Sequence, residues 1–288
     1  MRYFRICGED RDHLAVQEGD LAYDLTTANE SIGSFRDLAA AASITGDPID
    51  AVTDRLLDRA PTVGRAALED ARRPLDPDEV WAAGVTYEIS EQAREAESGM
   101  PEMYLNVYEG DRPEIFFKAT AERTVGPGAA IGVREDSEWD VPEPELAMVL
   151  YRGEVVGFTI GNDVSSRSIE GENALYLPQA KVYDRCCAVG PAVVSAATVD
   201  DPHDLEMSMT ITRDDETLYD ESTSTGEMVR TCEELASYYT CHNAVPELAV
   251  LLTGTSLVPS EEFTLREGDL VAIDIDGIGR LKNPVVTV

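Results

Sequence analysis

The segment Trp139-Asp140-Val141-Pro142-Glu143-Pro144-Glu145-Leu146-Ala147 holds the chain's most suggestive chemistry. Its prolines keep the backbone extended, so Glu143 and Glu145, two residues apart, project toward the same side. The apolar run 146–150 follows at once and draws this pair toward the interior. Two like charges there are costly unless a cation or a basic partner neutralises them. Asp163 is the natural third member, because it ends a predicted strand over 155–160 within Gly161-Asn162-Asp163-Val164-Ser165. Three carboxylates with no neighbouring His or Cys suit a hard cation, Mg²⁺ or Mn²⁺, with coordination positions left for water or substrate. The competing reading is a pair of solvated surface acids; the apolar flank favours the metal.

Other motifs carry less. Gly126-Pro127-Gly128-Ala129-Ala130-Ile131-Gly132 has the wrong glycine spacing for a nucleotide loop, and Pro127 removes a backbone donor, so a turn is expected. HExxH, P-loop and GxSxG elements are absent. The five cysteines, Cys7, Cys186, Cys187, Cys232 and Cys241, lack CxxC spacing and read mostly as buried free thiols. The only histidines are His13, His203 and His242.

The elements that must position the carboxylates are mainly strands. Residues 147–151 and 155–160 are continuously apolar and predict strands covered on both faces, joined by the turn Arg152-Gly153-Glu154. Leu205, Met207, Met209 and Ile211 alternate with polar residues, as do Val271, Ile273 and Ile275, which predicts half-buried strands. Near the amino terminus, 3–8 and 14–24 have strand character with a turn at Glu18-Gly19-Asp20. Ser34 caps a predicted helix over 35–42, and Asp47-Pro48 is expected to start another over 49–58 with an acid cap. Thr231-Cys232-Glu233-Glu234 has capping-box spacing for a third. The proline-flanked stretch 72–78 reads as a linker between a small unit, 1–75, and a larger one, 76–288. Strands dominate, which predicts an α+β fold rather than a repeating βαβ sheet.

Composition narrows the functional class. The 288 residues carry 56 acidic and 23 basic side chains, a net charge of −33. Such a chain repels nucleic acid and anionic membranes. With 43% hydrophobic content it can build a core, and it has neither an apolar stretch long enough to span a bilayer nor a signal peptide; a cytoplasmic protein is expected. Only three of the basic residues are lysines, Lys118, Lys181 and Lys282; the other twenty are arginines. Strong acidity with scarce lysine predicts a surface adapted to high salt. It also implies that each remaining lysine has a chemical or packing role.

Taken in order, Gly84-Val85-Thr86-Tyr87, Phe116-Phe117-Lys118, Glu143-Pro144-Glu145-Leu146-Ala147, Asn162-Asp163-Val164-Ser165-Ser166-Arg167 and Gly277-Ile278-Gly279-Arg280-Leu281-Lys282-Asn283-Pro284 resemble the fumarylacetoacetate hydrolase family over roughly residues 80–288. The resemblance implies a mixed β-sandwich roll behind a small α+β amino-terminal domain. It also implies a metal triad at Glu143, Glu145 and Asp163, and assembly as a dimer or tetramer. A further set resembles that family's 2-keto-3-deoxy-pentonate dehydratases, which form 2,5-dioxopentanoate: Arg112-Pro113-Glu114-Ile115-Phe116-Phe117-Lys118-Ala119-Thr120, Ser137-Glu138-Trp139 and Asn173-Ala174-Leu175-Tyr176-Leu177-Pro178-Gln179-Ala180-Lys181 with Cys186-Cys187. The family's hydrolases carry a His shortly after the element matched by Thr86-Tyr87. Here Glu88-Ile89-Ser90-Glu91 follows, and no His lies between residues 14 and 202. This departure favours a lyase.

The resemblance implies a small 2-oxo sugar acid as substrate. Lys181 and Glu114 are the candidates for proton transfer, in either order. Lys118 pairs with the metal carboxylates, with the substrate carboxylate, or in a structural ion pair. Thr255, in Leu252-Thr253-Gly254-Thr255, resembles a substrate contact, and Tyr87 is expected to line the pocket. Residues 173–179 are expected to form a loop at its mouth, and Lys282 to be structural. Within the family the alternatives are an acylpyruvate hydrolase or an oxaloacetate decarboxylase. Outside it, the alternative is a non-catalytic sugar-acid binder, which would not need both a metal triad and a buried base.

Overall fold

The computed structural model describes residues 1–87 and 107–288; the expected departure at Glu88-Ile89-Ser90-Glu91 lies outside them. The chain begins with a meander of β1 (Arg2–Cys7), β2 (Asp12–Glu18) and β3 (Leu21–Asp24). Next come β4 (Glu79–Gly84), β5 (Glu114–Ala119) and the short strands β6 (Thr124–Val125), β7 (Ile131–Val133) and β8 (Asp140–Val141). The hairpin β9 (Pro144–Tyr151) and β10 (Glu154–Asp163) is followed by β11 (Ser165–Ser166) and β12 (Cys187–Ser195). Then follow β13 (Glu206–Arg213), β14 (Glu216–Ser224), β15 (Leu248–Leu252), β16 (Leu270–Ile275) and β17 (Gly279–Thr287).

Among the described residues these strands form two main sheets. One runs β3-β2-β1-β12-β10-β9-β15-β4-β5, with β6 beside β12; the other runs β14-β13-β16-β17-β7; and β8 pairs with β11 as a small ribbon. Pairing is mostly antiparallel, with β15 parallel to β4, β17 parallel to β7 and β12 parallel to β6. The expected strand-rich α+β fold with mixed sheets is thus what the chain forms.

The β9/β10 hairpin is the centre of the molecule. Leu146, Met148 and Leu150 face the five-stranded sheet, where they meet Met207, Met209, Ile211, Val271, Ile273 and Ile275. Ala147, Val149 and Tyr151 face the opposite way, into a core with Phe35, Leu38, Ile49, Val52 and Leu56 from the amino-terminal helices. A strand covered on both sides has no solvent face to place polar residues on, which explains its unbroken apolar run. Arg152 and Gly153 both adopt positive φ, 51° and 87°, as a two-residue turn matched to strand twist requires.

Local signals are borne out where the stabilising partner is nearby in sequence. Ser34 accepts from the Asp37 amide at the start of helix Phe35–Thr45, and Thr231 accepts from the Glu234 amide at the start of Cys232–Thr240. Asp47 does not cap its helix: Ile49–Leu57 has no side-chain cap, and the Asp47 carboxylate instead pairs with Arg55 at 2.6 Å. Residues 173–179 are not a loop but a 3₁₀ turn, Ala174–Tyr176, running into the helix Leu177–Lys181; Pro178 sits in its first turn, where it lacks no helical partner. Cys186, Cys187 and Cys232 are buried free thiols, while Cys7 and Cys241 are exposed. The first strand joins the main sheet through β12, with Arg2 opposite Val194. Arg36 of the helix Phe35–Thr45 reaches across to Asp78 and Glu247 at 2.8 and 3.2 Å.

Candidate active site

Antiparallel pairing of β9 with β10 brings the three carboxylates together. Gly161 stands opposite Glu145, and the Asp163 amide donates to the Glu143 carbonyl at 2.9 Å. Asn162 accepts from the Glu143 amide with its side-chain oxygen at 3.1 Å, so the entrance to β9 is tied to the exit of β10. Glu143, Glu145 and Asp163 each offer an oxygen within 4.8 Å of the others, and they are 3%, 1% and 1% exposed.

Cations surround this cluster unevenly. The Lys181 ammonium donates to Glu143 Oε2 at 2.8 Å, to Asp163 Oδ2 at 3.5 Å and to Ser165 Oγ at 2.6 Å. Arg167 pairs with Glu143 Oε1 at 2.8 Å, and Lys118 with Asp163 Oδ1 at 2.5 Å. Glu145 has no basic ion-pair partner among the described residues; it accepts the Gly254 amide. Burial pushes its carboxyl well up, and the neighbouring Asp163 and Glu143 push it further, with Lys181 offsetting part of the effect. A buried, oxygen-only donor set with one uncompensated carboxylate fits a hard divalent cation.

The lysines differ in what they hold. Lys118, on β5, is fully buried and also donates to the Val164 carbonyl at 2.8 Å and the Lys181 carbonyl at 2.6 Å. Its three donors are therefore met by Asp163 and two carbonyls. Burial is the largest single influence and would depress this ammonium, but Asp163 together with the neighbouring Cys186 and Cys187 more than offsets it, and the net shift is upward. Lys181, at the end of the helix Leu177–Lys181, is equally buried and lies 5.3 Å from the centroid of the Phe116 ring. Lys282 is solvent-exposed on β17, and its structural contribution is its carbonyl, which accepts the Gly128 amide at 2.8 Å.

A pocket opens onto the carboxylates. Ala83, Gly84, Val85 and Phe116 form one side of its lining, and Arg167, Gly254, Thr255 and Val258 contribute with Glu143 and Glu145. Thr255 thus lines it as expected, with its hydroxyl accepting the Leu257 amide at 3.0 Å. Glu114 starts β5 opposite Gly84, and a Cβ on that glycine would fall 1.9 Å from Glu114 Oε2, so the carboxylate lies against the pocket wall. Tyr87 stands behind the wall: it is fully buried, does not line the pocket, and its hydroxyl lacks a hydrogen-bond partner among the described residues. Burial first, then the Glu145 charge, pushes that phenol upward. None of the three histidines is among the described lining residues.

Ser165, Arg167 and Gly254 carry no separate role in the sequence reading, yet Arg167 and Gly254 touch the carboxylates, and Ser165 holds the Lys181 ammonium beside them. Ser165 and Arg167 follow Asp163 by two and four residues, and that proximity was the available signal. Gly254 lies 109 residues from Glu145, beyond the reach of any local pattern.

Residues 79–286 match the family described as fumarylacetoacetate (FAA) hydrolase C-terminal. A Haloferax volcanii protein named probable 2-keto-3-deoxyxylonate dehydratase is 60% identical over 289 residues, covering 100% of both chains. The 2-dehydro-3-deoxy-D-arabinonate dehydratase of Saccharolobus solfataricus is 44% identical over 74% of this chain and 73% of its own. A solved structure of 2-keto-3-deoxy-D-arabinonate dehydratase complexed with magnesium and 2,5-dioxopentanoate has a TM-score of 0.85 at 34% identity, covering 100% of this chain and 99% of that one. No described helix is long and apolar enough to cross a membrane. Its matched residues, its sheet architecture and its full-length relatives make this chain a member of the fumarylacetoacetate hydrolase family.

Proposed function

We propose that this chain is a Mg²⁺-dependent hydro-lyase that converts 2-dehydro-3-deoxy-D-pentonate into 2,5-dioxopentanoate and water. The observation that carries the reading is the buried Glu143, Glu145 and Asp163 cluster with an uncompensated carboxylate, set under a small pocket in a chain whose full-length relative is a dehydratase. Glu143, Glu145 and Asp163 would hold the Mg²⁺ or Mn²⁺, which when bound would supply Lewis acidity to polarise the 2-oxo group and acidify C3.

The chain's own residues then divide the remaining work. Glu114, lying against the pocket wall at Gly84, is suited as a carboxylate to accept the C3 proton. Loss of that proton and of the 4-hydroxyl as water leaves a C3–C4 double bond conjugated with the 2-oxo group. Lys181 is held as an ammonium by Glu143 and Asp163, and a positioned ammonium assists departure of the hydroxyl by donating a proton. Loss of one proton from C5 and of the proton on the 5-hydroxyl, with return of one proton each to C3 and C4, then gives the 5-aldehyde, so the product is the substrate less one water. Thr255 contacts substrate from the pocket wall. Lys118 fixes Asp163 rather than touching substrate: its other donors go to backbone carbonyls, whereas Lys181 reaches Glu143, which lines the pocket. Tyr87 backs the wall near Glu145.

We further infer a catalytic unit over 76–288 with 1–75 as a small amino-terminal unit beside it, supported by the start of the family match at residue 79. The acidic, lysine-poor composition supports a protein working at high salt, which we place in the cytoplasm, and its resemblance to a family that commonly forms dimers or tetramers supports a homo-oligomer. Incubating the protein with 2-keto-3-deoxy-D-pentonate or with acylpyruvates, with Mg²⁺ in molar KCl, tests the reaction. Formation of 2,5-dioxopentanoate is the expected outcome; acylpyruvate cleavage without dehydration would refute it. Light scattering reads the assembly, for which a monomer is the contrary result.

A further inference from the structure

The peptide group between Thr253 and Gly254 stands between two side chains. Its N–H is the donor to Glu145. Its carbonyl, on Thr253, accepts the hydroxyl of Thr86 at 2.7 Å in a fully buried contact. A donor on the oxygen of a peptide polarises that peptide and strengthens the hydrogen bond its N–H makes, and both bonds together fix the peptide plane. Thr253 is anchored besides, its amide and hydroxyl reaching the Leu146 carbonyl at 3.1 and 2.9 Å, one residue beyond Glu145.

The packing leaves no room for a side chain at Gly254. Its φ of +87° lies in the left-handed region, and a Cβ there would fall 1.9 Å from Thr86 Oγ1 and 3.0 Å from the Ala83 carbonyl. The turn that delivers Thr86 is itself strained. Val85 has φ +55°, a conformation that is a genuine outlier for a β-branched residue and is kept only where the surroundings impose it. Those surroundings are β4 before it and, after it, the Thr86 carbonyl accepting the Val229 amide at 2.8 Å and the Tyr87–Met228 bridge.

We infer that Thr86 is a positioning residue for Glu145, setting that carboxylate for the divalent cation through the Thr253–Gly254 peptide. The inference rests on the reading of Glu145 as a metal carboxylate and adds a residue that touches neither metal nor substrate. Its hydroxyl, not its bulk, does the work, and it links the pocket wall at Val85 to the affinity of the metal site.

Mn²⁺ binding to the full-length protein, followed by electron paramagnetic resonance and by calorimetry, separates the possibilities. Thr86→Val keeps the shape and removes the donor; it should weaken Mn²⁺ binding by about tenfold or more, the usual consequence of losing a group that orients a ligand. Thr86→Ser restores the donor and should bind within about twofold of the parent, because the interaction that orients Glu145 is retained. Circular dichroism checks that each variant is folded. Thr86→Val binding Mn²⁺ like the parent, while Glu145→Gln loses it, would overturn the positioning role and leave the metal site standing. A folded Thr86→Ser that binds Mn²⁺ about tenfold or more weaker than the parent would also overturn it, whether or not Thr86→Val folds. A parent protein that binds no Mn²⁺ would overturn the metal reading, and the inference with it.

Discussion

Replacing Glu145 by Gln should move stability and activity in opposite directions. Glu145 is buried beside two carboxylates, with ligand oxygens within 4.8 Å, and lacks a basic ion-pair partner among the described residues. At that separation each like-charge pair opposes ionisation by about 3 kcal/mol at an effective dielectric constant of about 20. Protonation limits the penalty. A carboxyl with an ordinary value of 4.5 that stays protonated up to pH 7 loses at most about 3.4 kcal/mol of folding free energy over that interval. The sign follows from the upward shift: the group opposes folding least below pH 4.5, and increasingly as pH rises from there toward its raised folded value. Gln keeps an oxygen for the Gly254 amide and carries no charge. In chelator-treated protein at high KCl, urea unfolding should therefore show Glu145→Gln more stable than the parent by about 1–3 kcal/mol at pH 7, with the difference shrinking toward pH 4.5. With Mg²⁺ present, the same variant should lose dehydratase turnover. A variant less stable than the parent at pH 7, or a difference that does not grow with pH, would refute the view of Glu145 as an uncompensated carboxylate; retained turnover would refute its metal role.

Lys118→Met should destabilise by about 3–5 kcal/mol, because it removes the nearer cation of a buried carboxylate and the donor to two carbonyls, whereas Lys282→Met on the exposed face of β17 should stay within about 0.5 kcal/mol. Equal denaturation midpoints for the two would contradict the assignment of Lys118 to Asp163. Lys181→Met should lower kcat more than it raises KM if this lysine transfers a proton, and steady-state kinetics decides this; a pure KM effect would make it a binding residue. Desalting should lower the melting temperature, since repulsion across a net charge of −33 is then unscreened, and a midpoint unchanged between molar and millimolar KCl would remove the salt-adaptation argument.

Much of this protein was legible locally. The period of two in β13 and β16, the caps at Ser34 and Thr231, and the doubly apolar runs of β9 and β10 are properties of neighbouring residues, and they produced the expected elements. The spacing of Glu143 and Glu145, with Asp163 at the end of the next strand, made the acid cluster visible because a hairpin fixes what faces what. Asp47 shows the limit of such reasoning: a residue with the right identity for a cap found a stronger partner in Arg55.

Tertiary structure decided what the charges do. Lys118 and Lys181 stand out in sequence because lysine is rare, but only packing shows that one ammonium is spent on Asp163 and two carbonyls while the other bridges two carboxylates. Likewise, Glu145 takes its backbone donor from a residue on a strand exit 109 positions away, and that peptide takes its own donor from Thr86. Short-range periodicity specifies which side of an element a residue occupies, and so the sequence by itself determined the strands and the carboxylate triad. Which partners meet depends on strand order and register, set by the burial of whole sheets, and these alone determine whether a buried charge is matched or left for a cation.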